Sequence, residues 1–246
     1  MKMTIHAACA NGGVANVVGN IISDGTKEFA FDFQPEENYD LFVSQGEGNY
    51  KGQTTPEAAL EHLRDSFTMG DISGNIEEVG NGLINQLRYL GKEFAAYHKA
   101  DEPSLCHASI CGIIGTNNTI HSTNLGNGEV YVFRDDQLYT ITEKTEALGI
   151  GSNTINVWEL TDDLLDGDIV AICSPEIVAA LDNDDIEHVL YYSKYPAQPL
   201  LDSAREVNPD IAAAIIVFTI GDEAFDTPLI DEEDLLDDRG EYDAWA

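Results

Sequence analysis

The chain has 246 residues, 43% of them apolar, which is enough for one large domain with a real core. Twelve Lys and Arg against 45 Asp and Glu leave a net charge of −33, which repels nucleic acid, anionic membranes and phosphorylated substrates at long range. The longest apolar stretch, residues 211–220, is too short to span a bilayer and the first residues lack the apolar run of a signal peptide, so a soluble protein of the cytoplasm is expected.

The opening third predicts three short strands, Thr4 to Cys9, Glu28 to Phe33 and Asp40 to Ser44, arranged as an antiparallel meander. After GQTTPE, Thr54 or Thr55 can cap a helix and Pro56 suits its first turn, with Leu60, Leu63 and Phe67 on one stripe. A longer helix follows, its apolar residues Ile76, Val79, Leu83, Leu87, Leu90 and Phe94 spaced by three and four. From Leu105 the pattern is β: segments 104–115, 117–126, 129–142 and 153–160 are strand candidates, with a hairpin turn at 134–137 and Trp158 as a strand core residue. Residues 166–174 form another buried strand, two short helices follow, and 211–220 is a last apolar strand.

Strands cluster and helices come in pairs, which does not fit a parallel βαβ repeat. The order predicts an α+β fold in which two antiparallel sheets pack face to face with helices outside, over residues 1–220. Residues 221–246 form an acidic tail with 11 acids and one Arg, expected either to be disordered or to fold on a partner, with Trp245 as the candidate anchor. The acidity extends over the rest of the chain and suits a saline or plainly solvated surface, a charged partner surface, or mimicry of nucleic acid. Cys9, Cys106, Cys111 and Cys173 show no CxxC pairing and stand in apolar contexts, so buried thiols are expected, and only CHASIC (106–111) hints at zinc.

The segment NLGNGEVYVF (124–133) resembles the strand-turn-strand motif N-x-G-D-S-R of the metal-dependent, PPM or type 2C, serine/threonine protein phosphatases. Further matches lie in order along residues 4–220. GGVANVVGN resembles G-x-V-R-x-x-N-E-D, and LFVSQGEGNYKG resembles F-x-V-x-D-G-x-G-G-H. LYTITEKTEALGIGS resembles the strand ending in L-T-x-D-H with the later L-G-x-x segment. LLDGDIVAICS is similar to G-D-x-x-L-L-C-S, and PDIAAAIIVF to the closing D-N strand. The resemblance implies a four-layer αββα sandwich and, in active members, two Mg²⁺ or Mn²⁺ ions with a bridging water, held by carboxylates.

Carried over position by position, the resemblance implies a dismantled site. The Glu-Asp pair of the first motif corresponds to Gly19 and Asn20, its phosphate-binding Arg to Ala15, and the Asp of D-G-x-G-G to Gln45, with Gly46 and Gly48 kept. Asn127 replaces the Asp of the opening motif and Pro175 the Asp after Cys-Ser, leaving Asp210 as the one retained ligand-type residue. The expectation is a pseudophosphatase that binds no metal or other cofactor and engages a protein partner, without contact to nucleic acid or membrane. Two alternatives stand beside it. One is a divergent hydrolase holding Mg²⁺ or Mn²⁺ through displaced acids, drawn from Asp32, Glu36, Glu37 and Asp40 or from Asp162, Asp163, Asp166 and Asp168. The other is an acidic decoy for a basic protein.

Overall fold

The structure is a computed structural model that describes residues 1–34, 37–69, 76–97, 106–149 and 157–221. The expected tail lies outside the described residues. Two six-stranded antiparallel sheets carry the fold. The first runs in the order β11 (Gln137–Thr140), β10 (Glu129–Arg134), β13 (Ile169–Cys173), β14 (Ala213–Ile220), β1 (Lys2–Ala10) and β4 (Gly25–Asp32). The second runs β12 (Trp158–Asp163), β9 (Thr119–Leu125), β8 (His107–Thr116), β5 (Asn38–Glu47), β2 (Val14–Val17) and β3 (Asn20–Ile22). A small hairpin, β6 (Asn49–Tyr50) and β7 (Gln53–Thr54), leads into the helices.

Helices α1 (Thr55–Met69) and α2 (Ile76–Tyr97) cover the second sheet, while α3 (Pro175–Ala180), α4 (Asn183–Tyr192) and α5 (Ala197–Val207) cover the first. The chain therefore has the four-layer αββα sandwich that its sequence implies. Strand periodicity explains the layers. On β1, Met3, Ile5, Ala7 and Cys9 enter the core between the sheets, while Ala8 and Ala10 face the helices; on β14, Ala214, Ile216 and Phe218 alternate with Ala213, Ile215 and Val217 in the same way. A strand buried on both faces has no polar face to show, which is why residues 211–220 read as a continuous apolar run. The α2 stripe is buried at Leu83, Leu87, Leu90 and Phe94, each such side chain contributing about 2 kcal/mol of transfer energy. At the start of α1, Thr54 Oγ1 accepts the Glu57 N–H at 3.4 Å.

Two local expectations change, and the hint of zinc gains no support. The first strands form no meander: β1 pairs with β4, whereas β5 belongs to the other sheet, between β8 and β2, and the intervening β2 and β3 are too short to read as strands. Trp158 is only half-buried, because β12 is an edge strand with one neighbour. The possible zinc ligands do not converge: Cys106 packs among the α1–α2 cluster and donates to the Asn49 carbonyl at 2.9 Å, while Cys111 points into the core between the sheets. All four cysteines are buried free thiols.

Candidate functional site

The site implied by the resemblance has to be sought at one end of the sandwich. The β1–β2 turn, the end of β5, the β9–β10 turn, the end of β13 and the start of β14 all lie there, as the strand registers require. Gln45, Gly46, Asn127, Pro175 and Asp210 are all at this end. Gly19 and Asn20 are not. Val17 pairs with Leu41 and the Val18 N–H reaches the Asp40 carbonyl, so the β2–β3 turn stands at the opposite end. Asn20 spends its amide locally, donating to the carbonyls of Val17 and Val18 at 3.0 and 3.2 Å. Ala15 is buried in the core between the sheets.

In place of the β2–β3 turn, Asn11, Gly12 and Gly13 occupy the Gln45 end. Asn11 Nδ2 donates to the Ile211 carbonyl at 3.1 Å, and a Cβ on Gly13 would stand 2.0 Å from the Ala213 carbonyl oxygen. No side chain fits at that position without moving the start of β14.

Hydrogen bonds link the two sheets beside this turn. Gln45, half-buried on β5, accepts the Glu176 N–H through Oε1 at 3.1 Å. Glu176, in the first turn of α3, accepts the Ala212 N–H through Oε2 at 2.9 Å. Ser174 is fully buried and its Oγ accepts the Ala214 N–H at 3.0 Å, so the hydroxyl of CSPE holds the start of β14. Glu176, absent from the residues expected at the site, follows the substituted Pro175 by one position. Its acidic type at that position was the available signal.

The Gly-Asn-Gly turn is fixed by its neighbours. A Cβ on Gly126 would stand 2.2 Å from Ser109 Oγ, and one on Gly128 2.7 Å from Cys111 Cβ, so both glycines let the turn lie against β8. Gly126 also has φ 105°, a backbone state that disfavours other residues. Asn124, fully buried, braces the turn by donating to the carbonyls of Gly128 at 2.9 Å and Glu143 at 2.8 Å. Asn127 itself is exposed. Asp210 is exposed as well, its N–H donating to Asn208 Oδ1 at 3.2 Å.

The acidic clusters that might supply displaced ligands lie at the far end. Asp40, half-buried at the start of β5, accepts from the Asn16 amide, and burial raises its carboxyl to about 6, with the Asn16 bond opposing the shift. Asp168 is paired with Arg134, and Asp163 Oδ1 accepts from Thr119 Oγ1 at 2.6 Å. Glu36 is outside the described residues. Among the described residues, no three His, Cys, Asp or Glu side chains gather in an arrangement suited to a metal ion.

The sequence matches no family model and no curated protein. In three dimensions the chain is similar to solved bacterial phosphatases. The S. agalactiae serine/threonine phosphatase superposes with a TM-score of 0.71 at 12% identity, covering 88% of this chain and 100% of that one. The Mycobacterium tuberculosis phosphatase PstP/Ppp superposes at 0.64 with 14% identity, covering 90% and 100%. The PPM Ser-Thr phosphatase MsPP from Mycobacterium smegmatis, in complex with cacodylate, superposes at 0.62 with 17% identity, covering 88% and 98%. The chain thus has the fold of the PPM-type serine/threonine phosphatases.

Proposed function

We propose that this chain is a pseudophosphatase: a PPM-type fold, working in the cytoplasm, whose reaction centre has become a structural clasp and whose surface binds a protein partner. The observation that carries this reading is the relay from Gln45 to Glu176 to Ala212, which fills the site end with bonds between its own sheets. In the three-dimensional arrangement, Asn11-Gly12-Gly13 replaces Val18-Gly19-Asn20 as the counterpart of the family's Asn-Glu-Asp, and both acids are then glycine. A pair of divalent ions needs several anionic oxygens to offset its charge. The acids at this end include Glu176, engaged with a backbone N–H, Glu129, paired with Lys144 at 3.1 Å, and Glu47 and Asp210 on the exposed rim. The donor set does not fit two metal ions.

Among the described residues no helix is long and apolar enough to cross a membrane. Four buried free thiols suit a reducing compartment. The high negative charge favours a partner with a basic surface over nucleic acid or anionic lipid.

Calorimetric titration of chelator-treated protein with Mn²⁺ and Mg²⁺, alongside hydrolysis of a small aryl phosphate, tests the reading. The expected result is no stoichiometric binding at millimolar or tighter affinity and no metal-dependent turnover. Binding of two ions with turnover would overturn it and direct attention to Glu176 and Asp210 as surviving ligands.

A further inference from the structure

Four strands end the two six-stranded sheets, and three of them are poor templates for further pairing. β3 has three residues and β11 four, while β12 carries Glu159, Asp162 and Asp163 along six. β4 differs. Its eight residues, GTKEFAFD, contain no proline, and its register with β1 runs without a bulge from Cys9 opposite Gly25 to Lys2 opposite Asp32. Among the described residues nothing pairs with its outer side, and such an edge presents unpaired backbone groups to any matching strand.

The direction of those groups follows from the end of the ladder. Met1 and Phe33 exchange both backbone bonds at 2.8 Å, so by alternation the odd residues of β4 point their N–H and C=O at β1. Thr26, Glu28, Ala30 and Asp32, all exposed, therefore point theirs outward. Phe29 and Phe31 lie on the core side, stacked at 6.0 Å, with the Lys27 ammonium 4.9 Å from the Phe29 ring centre.

We propose that β4 pairs with β4 of a second copy of this chain, antiparallel about a two-fold axis through Phe29, joining the two β1-containing sheets into one. Side chains on one face can meet across such an axis only when it passes through a residue, and the charges select which one. An axis at residue 27 sets Lys27 against Lys27, one at 28 sets Glu28 against Glu28, and one at 30 sets Glu28 against Asp32. An axis at 31 leaves a much shorter ladder. At Phe29 no like charges meet: Lys27 faces Phe31, Glu28 faces Ala30, and Thr26 faces Asp32. The outward groups then form the bonded pairs 28–30 and 26–32, about eight backbone hydrogen bonds. The two Phe29 rings fall at a non-bonded position, where facing side chains approach most closely.

The molecule's charge also favours a second copy over a basic partner at this edge. Lys2 and Lys27 balance Glu28 and Asp32, so a strip of β1 and β4 is neutral on a chain of net charge −33. At about 0.15 M salt, screening over about 8 Å makes this strip, and not the distant acids, decide association.

Sedimentation equilibrium of the full 246-residue protein at about 0.15 M NaCl and about 10–300 µM tests this pairing. A monomer–dimer equilibrium is expected in that range. Ala30→Glu places a carboxylate opposite Glu28 of the other copy, at two equivalent positions, and should weaken the dimer at least about fivefold. Ala30→Lys at the same positions should strengthen it several-fold. Ala30→Pro removes an outward N–H that β1 does not use and should abolish the dimer with the chain still folded, as far-UV circular dichroism would report. Should the proline variant fail to fold, the Glu and Lys variants decide. A monomer at every concentration, a dimer indifferent to Glu and Lys at position 30, or a dimer that Lys weakens as Glu does would each overturn the inference.

Discussion

Two carboxylates at opposite ends of the sandwich have opposite fates. Glu176 meets a backbone N–H and stays at the surface of a turn. Asp40 meets the side-chain amide of Asn16 and its own backbone N–H, and burial still raises its carboxyl to about 6. The free carboxyl titrates near 3.9, so between about pH 4 and 6 the folded chain holds a proton that the unfolded chain has released. Asp40 thus contributes full stability below about pH 4 and loses it as pH rises through about 6. Asp40→Asn should leave stability at pH 4 unchanged and raise it by about 1–2 kcal/mol at pH 7, as read by urea denaturation at each pH. An unchanged difference between pH 4 and pH 7 would show that the Asp40 carboxyl titrates normally.

At the scale of elements, α2 seats on the second sheet through Gly80. A Cβ there would stand 2.5 Å from His121 Nε2, and His121 is itself buried, its Nδ1 at 3.0 Å from Thr161 Oγ1. Alanine would gain about 1 kcal/mol of helix propensity, but crowding the ring costs about 1–3 kcal/mol, so packing wins. Gly80→Ala should lower the unfolding free energy by up to about 2 kcal/mol, measured by thermal or urea denaturation; a more stable variant would mean that the ring moves aside freely. The α2 stripe was legible in the sequence because a 22-residue amphipathic helix repeats its signal. The pairing of β1 with β4 was not, since strand partners depend on two short segments, β2 and β3, that have too few residues to show a period.

At the scale of the whole molecule, the layered plan follows from periodicity, but the composition of the site end does not. Gln45, Pro175 and Asp210 were placed there by motif spacing on long, well-registered strands. On the proposed reading the first motif falls at Asn11 and not Val18, seven residues earlier, because only the register of β2 against β5 says which end its turn occupies. Glu176 was overlooked for a related reason: its acidic type beside Pro175 was a signal, but only α3 shows where the carboxylate points. The acidic clusters around Asp40 and Asp168 share the end away from Gln45.

The four cysteines give this architecture a built-in clock. All four are buried, and burial pushes the Cys9 thiol up to about 12, so the reactive thiolate is scarce in the folded state. Cys9 and Cys111 sit between the sheets, Cys173 beneath the helices of one layer and Cys106 beneath those of the other. Alkylation of Cys9 and Cys111 together, of Cys173 and of Cys106 must therefore wait for three different pairs of layers to separate. If the sandwich opens as one unit, all four should label at a common rate that follows global unfolding, with mass spectrometry of the digested protein resolving each site. Staggered rates would instead give the sequence in which its layers part.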